Sequence, residues 1–382
     1  MHHTAPNTLP EQLLVQTRQR SGEIALRHKR LGIWQARRWR ELADETARLA
    51  AALATAGFGA GDALVLLTQP RPEALLLSLA AQWLGGVAVP LAPDLPDAEL
   101  HAVLQQLSPH YLFAEDETQW QRVNHGAYRL AIYGDARGLN GIAGWTAYAE
   151  LHGDAAPAEP QARSAQPAFA FYRVQPGGNI ERQAISHAEL LQEGVRLVTA
   201  EGLTEHEEAL AARAFAAGGQ ARYLLAPWLL AGFRLNFPES TATRDQDRRE
   251  LGPTLVAGTR ETWGRLADQV QQRLPLPGSL RRWLVDAALT PPRSWHGRLW
   301  HGIAGHWLVR RPLRDVLGLT RTRVPLLVGD PLTEPAARLL TQLGVVVRGW
   351  PDPAQWHGTT GPAVHITGWQ APDYGAALPQ PG

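Results

Sequence analysis

The chain has 382 residues, 45% of them hydrophobic and 19% charged, with 37 basic side chains against 36 acidic ones. That supplies apolar material for buried cores in two or three folding units, and a formal charge of +1 gives no field to gather nucleic acid. Cysteine is absent, which excludes disulfides, thiolate nucleophiles, iron–sulfur clusters and cysteine zinc sites; only Lys29 of the 37 basic residues is a lysine, so lysine chemistry rests on it or does not occur.

In chain order, residues 1–10 lack the basic and apolar regions of a secretory signal, which points to the cytoplasm. Trp39, Leu42, Ala43, Thr46, Leu49, Ala50 and Leu53 recur at helical spacing and predict an amphipathic helix that Gly57 stops. The glycine-rich stretch 57–62 follows that helix and precedes the apolar run 63–67. A dinucleotide fingerprint needs strand before helix, so this is a turn. Pro70 and Pro72 open a second helix to Leu84, Gly85-Gly86 end it, and 87–91 read as a buried strand. The run 74–93 is thereby a helix and a strand, each too short to cross ~30 Å of hydrocarbon.

A helix at 97–107 and apolar runs at 111–114 and 130–133 continue the alternation, which implies a largely parallel α/β sheet. Segments at 168–174, 186–199, 223–237, 260–273, 280–289, 324–328 and 335–347 repeat it. The expected organisation is a first α/β lobe at 9–153, an Ala/Pro/Gln-rich linker at 154–167, a second lobe at 168–349, and an irregular Pro/Gly-rich tail at 350–382.

Other constellations read plainly. His296, His301 and His306 recur every five residues, which scatters them around a helix and gives no metal site. Their surroundings mix Trp295, Trp300 and Trp307 with Arg310 and Arg311, a composition suited either to a packed aromatic helix or to peripheral membrane contact. No G-x-S-x-G elbow is present, and Ser186 reads as a helix N-cap with Glu189 completing a capping box. Glu207, Glu208, Arg248 and Arg249 read as solvated charges.

Five stretches carry a resemblance: 25–35 (ALRHKRLGIWQ), 61–72 (GDALVLLTQPRP), 132–139 (IYGDARGL), 231–258 (AGFRLNFPESTATRDQDRRELGPTLVAG) and 308–323 (LVRRPLRDVLGLTRTR). In order and spacing they resemble the adenylate-forming, AMP-binding superfamily, specifically its bacterial long-chain acyl-CoA synthetase branch. The resemblance implies the N-terminal-domain scaffold of those enzymes, two αβ lobes with largely parallel sheets, without the mobile C-terminal domain. It also implies ATP-dependent formation of an acyl-adenylate and transfer to coenzyme A.

The family's phosphate loop, Y-T-S-G-T-T-G-x-P-K-G-V-x-L-T-H, is similar to residues 172–187, YRVQPGGNIERQAISH. Tyr172, Gly178, Ser186 and His187 match, and Gly177 stands beside them as part of the loop remnant. Val174 takes the serine position, Pro176 and Gly177 replace the threonine pair, and Glu181 replaces the lysine. A carboxylate there turns attraction for phosphate into repulsion, a change of several kcal/mol at about 4 Å and an effective dielectric near 20. The Pro-rich acyl-tunnel segment corresponds to 211–221 (AARAFAAGGQA), and Y-G-x-T-E to 351–355 (PDPAQ). The resemblance therefore implies a pseudoenzyme with no catalytic residue, metal or cofactor, whose partners are an acyl ligand or an active synthetase relative. Under the alternative of an active ligase, Arg173 or Arg182 would stand in for the lysine and ATP and magnesium would bind.

Overall fold

The computed structural model describes residues 6–139, 141–153, 157–290, 305–351 and 356–358. These fall into two compact units, one made of the described residues within 6–205, 211–237 and 356–358 and the other of those within 206–210 and 238–351.

In the first unit, Ile24–Arg30 (β1) and Ile33–Arg38 (β2) form an antiparallel hairpin. The helix Trp39–Thr55 follows, and its predicted stripe is buried along Trp39, Leu42, Thr46, Leu49 and Leu53. Gly57 has φ +84°, a left-handed conformation open to glycine, so the chain leaves the helix as the sequence requires. It turns into Ala63–Leu67 (β3), runs through the helix Pro72–Trp83, and returns as Val87–Leu91 (β4). Gly86 precedes β4 for a packing reason: a Cβ there would meet the Phe58 ring and lie 2.9 Å from the Asp62 carbonyl.

Tyr111–Ala114 (β5), Leu130–Tyr133 (β6), Trp145–Ala147 (β7), Pro167–Val174 (β8) and Ile180–Ser186 (β9) complete most of one sheet. Its order is β9-β8-β4-β3-β5-β6-β7, with every pair parallel except the β8–β9 hairpin. Because helices follow strands, the central strands are covered on both faces and read as continuous apolar runs: all of β4 and β5 is buried. Val65, Leu67, Val89, Leu100, Leu112, Ala170 and Ile180 share one core cluster.

The second unit contains Glu208–Leu210 (β10), the first unit resumes with Arg234–Phe237 (β11), and the second continues with Leu255–Gly258 (β12), Val324–Val328 (β13) and Arg348–Trp350 (β14). In the first unit β11 pairs parallel with β1 at Leu26↔Leu235. In the second, β10, β12, β13 and β14 pair parallel in that order. Helices Arg260–Arg273 and Glu334–Gln342 cover them, with Trp263 donating its indole N–H to the Leu326 carbonyl at 2.9 Å. Among the described residues no helix is long and apolar enough to cross a membrane.

Four expectations are corrected. The boundary does not fall at 154–167, because β8 beyond that segment pairs with β4 before it, Phe169 opposite Ala88. Residues 168–205 and 211–237 therefore pack with the first lobe, not the second. The apolar segment 223–237 is a π-helical turn Ala221–Leu225, a helix Ala226–Ala231 and strand β11, not one element.

Glu207, Glu208 and Arg248 are buried, not solvated; Arg249 alone of the four is exposed. Glu207 accepts from the Thr254 hydroxyl at 2.6 Å and pairs with Arg323, while Arg248 pairs with Asp245 at 3.0 Å and donates to the Leu317 carbonyl. Partners offset the cost of burying those charges. Finally, 350–382 is not wholly irregular: Trp350 ends β14, and His357–Gly358 (β15) adds to the outer edge of β9.

Candidate functional site

The β8–β9 hairpin carries the residues that the sequence singles out. Strand β8 alternates Phe169 and Phe171 inward and ends at buried Val174, where the chain reverses through Gln175-Pro176-Gly177-Gly178-Asn179. Gly177 and Gly178 have φ +103° and +84°, which a side chain would strain. The Gly178 amide donates to the Gln175 carbonyl at 2.9 Å and the Gln175 amide to the Asn179 carbonyl at 2.8 Å. Those two N–H groups close the turn and are not offered to an anion.

Glu181 lies directly across the ladder from Arg173. Its carboxylate accepts from the Arg173 Nε at 2.6 Å and from the Gln175 side-chain Nε2 at 2.7 Å. Burial pushes the Glu181 carboxyl up, but the hydrogen bonds from Gln175 and Arg173 outweigh it and hold the group below the ordinary carboxylate range. The Arg173 guanidinium also stacks on the Trp356 ring, 4.3 Å from its centroid. Behind Trp356, β15 sets His357 opposite Arg182 and Gly358 opposite Glu181. The structure thus brings residues 356–358 to the loop remnant, while 352–355 lie outside the described residues.

The remaining loop residues divide by role. Tyr172 is partly buried, and burial raises its phenol even though Arg182 hydrogen-bonds to it. Ser186 is the N-cap of the helix His187–Glu201, accepting from the Glu189 amide at 3.2 Å while Glu189 accepts from the Ser186 amide at 2.7 Å. His187 is fully buried; burial lowers it to about 4, so its neutral Nδ1 accepts the Leu9 N–H at 3.2 Å. Ser186 and His187 therefore serve the helix start. Magnesium triphosphate does not fit this hairpin: Val174 offers no hydroxyl, Pro176 no N–H, and Glu181 presents a carboxylate that already holds Arg173.

A second polar cluster escaped the sequence reading. In the order β4-β3-β5-β6-β7 the connections reverse direction between β3 and β5, the place where open α/β sheets bind ligands beyond the carboxyl ends of the strands. There Glu115, buried just past β5, accepts from the Gln69 amide at 2.6 Å, the Thr68 hydroxyl at 3.2 Å and the Arg71 guanidinium. The chain's own carboxylate takes up these three donors. Thr68, Gln69 and Arg71 fall in the 61–72 stretch, and Asp135 and Arg137, paired beyond β6, fall in 132–139. A nearby apolar cavity lined by Leu66, Pro90, Phe169 and Phe215 measures about 10 Å³, room for one water and not for an acyl chain.

Of the tryptophan-rich segment, Trp295, Trp300, His296 and His301 lie outside the described residues. Trp307 is exposed, with the Arg311 guanidinium 4.3 Å over its ring; Arg310 ends the π-helical turn His306–Arg310.

The family model described as AMP-binding enzyme matches residues 14–350. The chain superposes on the N-terminal subdomain of NpsA from Klebsiella oxytoca in complex with 3-hydroxybenzoyl-AMSN with a TM-score of 0.63 and 16% identity, covering 91% of this chain and 71% of that one. On the A-PCP didomain of carboxylic acid reductase from Segniliparus rugosus in complex with AMP it reaches 0.68 at 14% identity, covering 91% and 52%. Tenellin synthetase of Beauveria bassiana is 29% identical over 114 residues, which are 30% of this chain and 3% of that protein. The chain thus spans a small fraction of the curated relatives it matches. The structural likenesses show the fold: a mixed α/β chain with two largely parallel sheets, as in the N-terminal domains of adenylate-forming enzymes.

Proposed function

The chain belongs to the AMP-binding enzyme family, and from that premise we propose that it is a pseudoenzyme: a member that forms no acyl-adenylate and acts as an accessory or scaffold in the cytoplasm. The observation that carries this reading is Glu181. On the resemblance it takes the place of the family lysine, and its carboxylate is held by Arg173 and the Gln175 side chain. The cation at hand serves Glu181 and Trp356. The five stretches support descent from the long-chain acyl-CoA synthetase branch, and the partner that this origin favours is an active relative or an acyl ligand.

Carboxylate-dependent exchange of labelled pyrophosphate into ATP tests the proposal, with long-chain fatty acids, short acids and aryl acids as substrates. No exchange above the protein-free background is expected. Exchange with any of these acids would instead establish an active ligase that uses substituted residues or a partner chain.

A further inference from the structure

The second unit presents a surface that the pseudoenzyme reading leaves unexplained. The helix Leu280–Leu289 is opened by Ser279, whose side chain accepts from the Arg282 amide. It faces the core with Val285 and Leu289, which pack in the cluster of Trp263, Leu266 and Leu340, and with buried Ala288. At helical spacing on another face, Leu280 and Trp283 are 74% and 64% exposed, and Leu276 in the preceding turn is 80% exposed. The turn His306–Arg310 packs against this helix and adds Trp307 and Leu308, 58% and 73% exposed. Folding ordinarily buries leucine and tryptophan of this size, so five of them exposed on two neighbouring elements mark a surface with a partner.

The charges around them choose the partner. Residues 273–290 and 305–316 contain six arginines and two aspartates and neither lysine nor glutamate. Both aspartates are already neutralised, Asp286 by Arg282 at 2.9 Å and Asp315 by Arg249 at 3.2 Å. Arg273, Arg281 and Arg311 are exposed and make no ion pair with a carboxylate among the described residues, and Arg311 lies flat on Trp307. In a chain whose overall charge is close to zero, this is a local excess of cations beside aliphatic and indole side chains. Such a surface fits lipid headgroups: arginine meets phosphate, tryptophan sits at the interface, and leucine reaches the acyl boundary. We infer that the helix Leu280–Leu289 and the turn His306–Arg310 form a docking surface for an anionic lipid membrane, on which the protein lies without spanning it.

Co-sedimentation of the full chain tests this, using vesicles of phosphatidylcholine mixed with phosphatidylserine and vesicles of phosphatidylcholine alone. The protein should pellet with the mixed vesicles at low salt, stay in solution with neutral ones, and be released by high salt. Replacing Arg281→Gln with Arg311→Gln should lower the partition coefficient about 25-fold, at roughly fivefold for each arginine. Leu280→Ser with Trp283→Ser should lower it by more than about tenfold. Because all four side chains are exposed, thermal unfolding of both variants should track the parent, which separates lost binding from lost folding. No binding to the mixed vesicles overturns the inference. So does binding that survives Leu280→Ser/Trp283→Ser, or a solution dimer that this double variant dissolves while vesicles are ignored, which would make a second copy the occupant.

Discussion

The parallel sheet around β3, β4 and β5 and the β8–β9 hairpin at its edge belong to one fold but are held by different forces. In the sheet, burial on both faces fixes each residue: β4 and β5 are apolar throughout, and the helix before β4 ends where Gly85, at φ +75°, permits. In the hairpin, the turn Gln175–Asn179 is held by two backbone hydrogen bonds, one from the Gln175 side chain to Glu181, and one partly exposed ion pair. Packing therefore constrains the sheet closely, while the turn's sequence is bound mainly by its own hydrogen bonds. The chain is recognisable as an AMP-binding enzyme over residues 14–350, and the loss of phosphate chemistry proposed above would cost that scaffold little structure.

Substitutions of graded severity test that contrast. The largest loss is expected for Leu66→Ala in the buried centre of β3, about 3 kcal/mol by urea unfolding; a loss below about 1 kcal/mol would mean that the sheet is no more constrained than the turn. Next comes acid. Burial lowers His28 and His187 to about 4 from 6.5, so between those values the unfolded chain binds the extra protons. Their contribution is fully present above pH 6.5 and is lost as pH falls toward 4, at about 1.4 kcal/mol per unit for each, or about 3 kcal/mol each in all. The slope of unfolding free energy against pH should drop in His187→Gln by that single-site amount; an unchanged slope would refute the assignment.

Ser186→Ala should cost about 1 kcal/mol by removing the helix cap, and rescue by Ser186→Asp would identify the cap as the cause. The smallest effect belongs to the hairpin: Glu181→Ala should change stability by less than about 1 kcal/mol, as a surface pair does. A loss of several kcal/mol there would break the contrast by showing that the rewritten turn is itself a structural element.

The difference between the two regions also decides what could be read before the structure. The strands 111–114, 130–133 and 324–328 and the helices 97–107, 260–273 and 280–289 match their predicted bounds, because period and end signals are local. The Ser186 cap was legible for the same reason. The lobe boundary was not, since the composition of 154–167 says nothing of β8 pairing back to β4. Glu207 and Glu208 sit in an acidic run that looks solvated; only the long-range arrival of Thr254 and Arg323 makes their burial affordable.

At the site, the turn and its glycines could be read from sequence, but the contacts of Glu181 with Arg173 and of Arg173 with Trp356 could not. The former depends on cross-strand register and the latter on a segment 183 positions away in the chain. Glu115 was missed altogether, because a lone carboxylate after a strand gives no signal until the reversal between β3 and β5 places Thr68, Gln69 and Arg71 around it.

Isothermal titration of ATP with magnesium into the purified chain tests the central claim most directly. With Glu181 in the lysine register and no hydroxyl at Val174, the protein should release no saturable heat. Saturable binding in the micromolar range, lost when the hairpin is altered by Arg182→Ala, would contradict it and return the chain to the active members of its family.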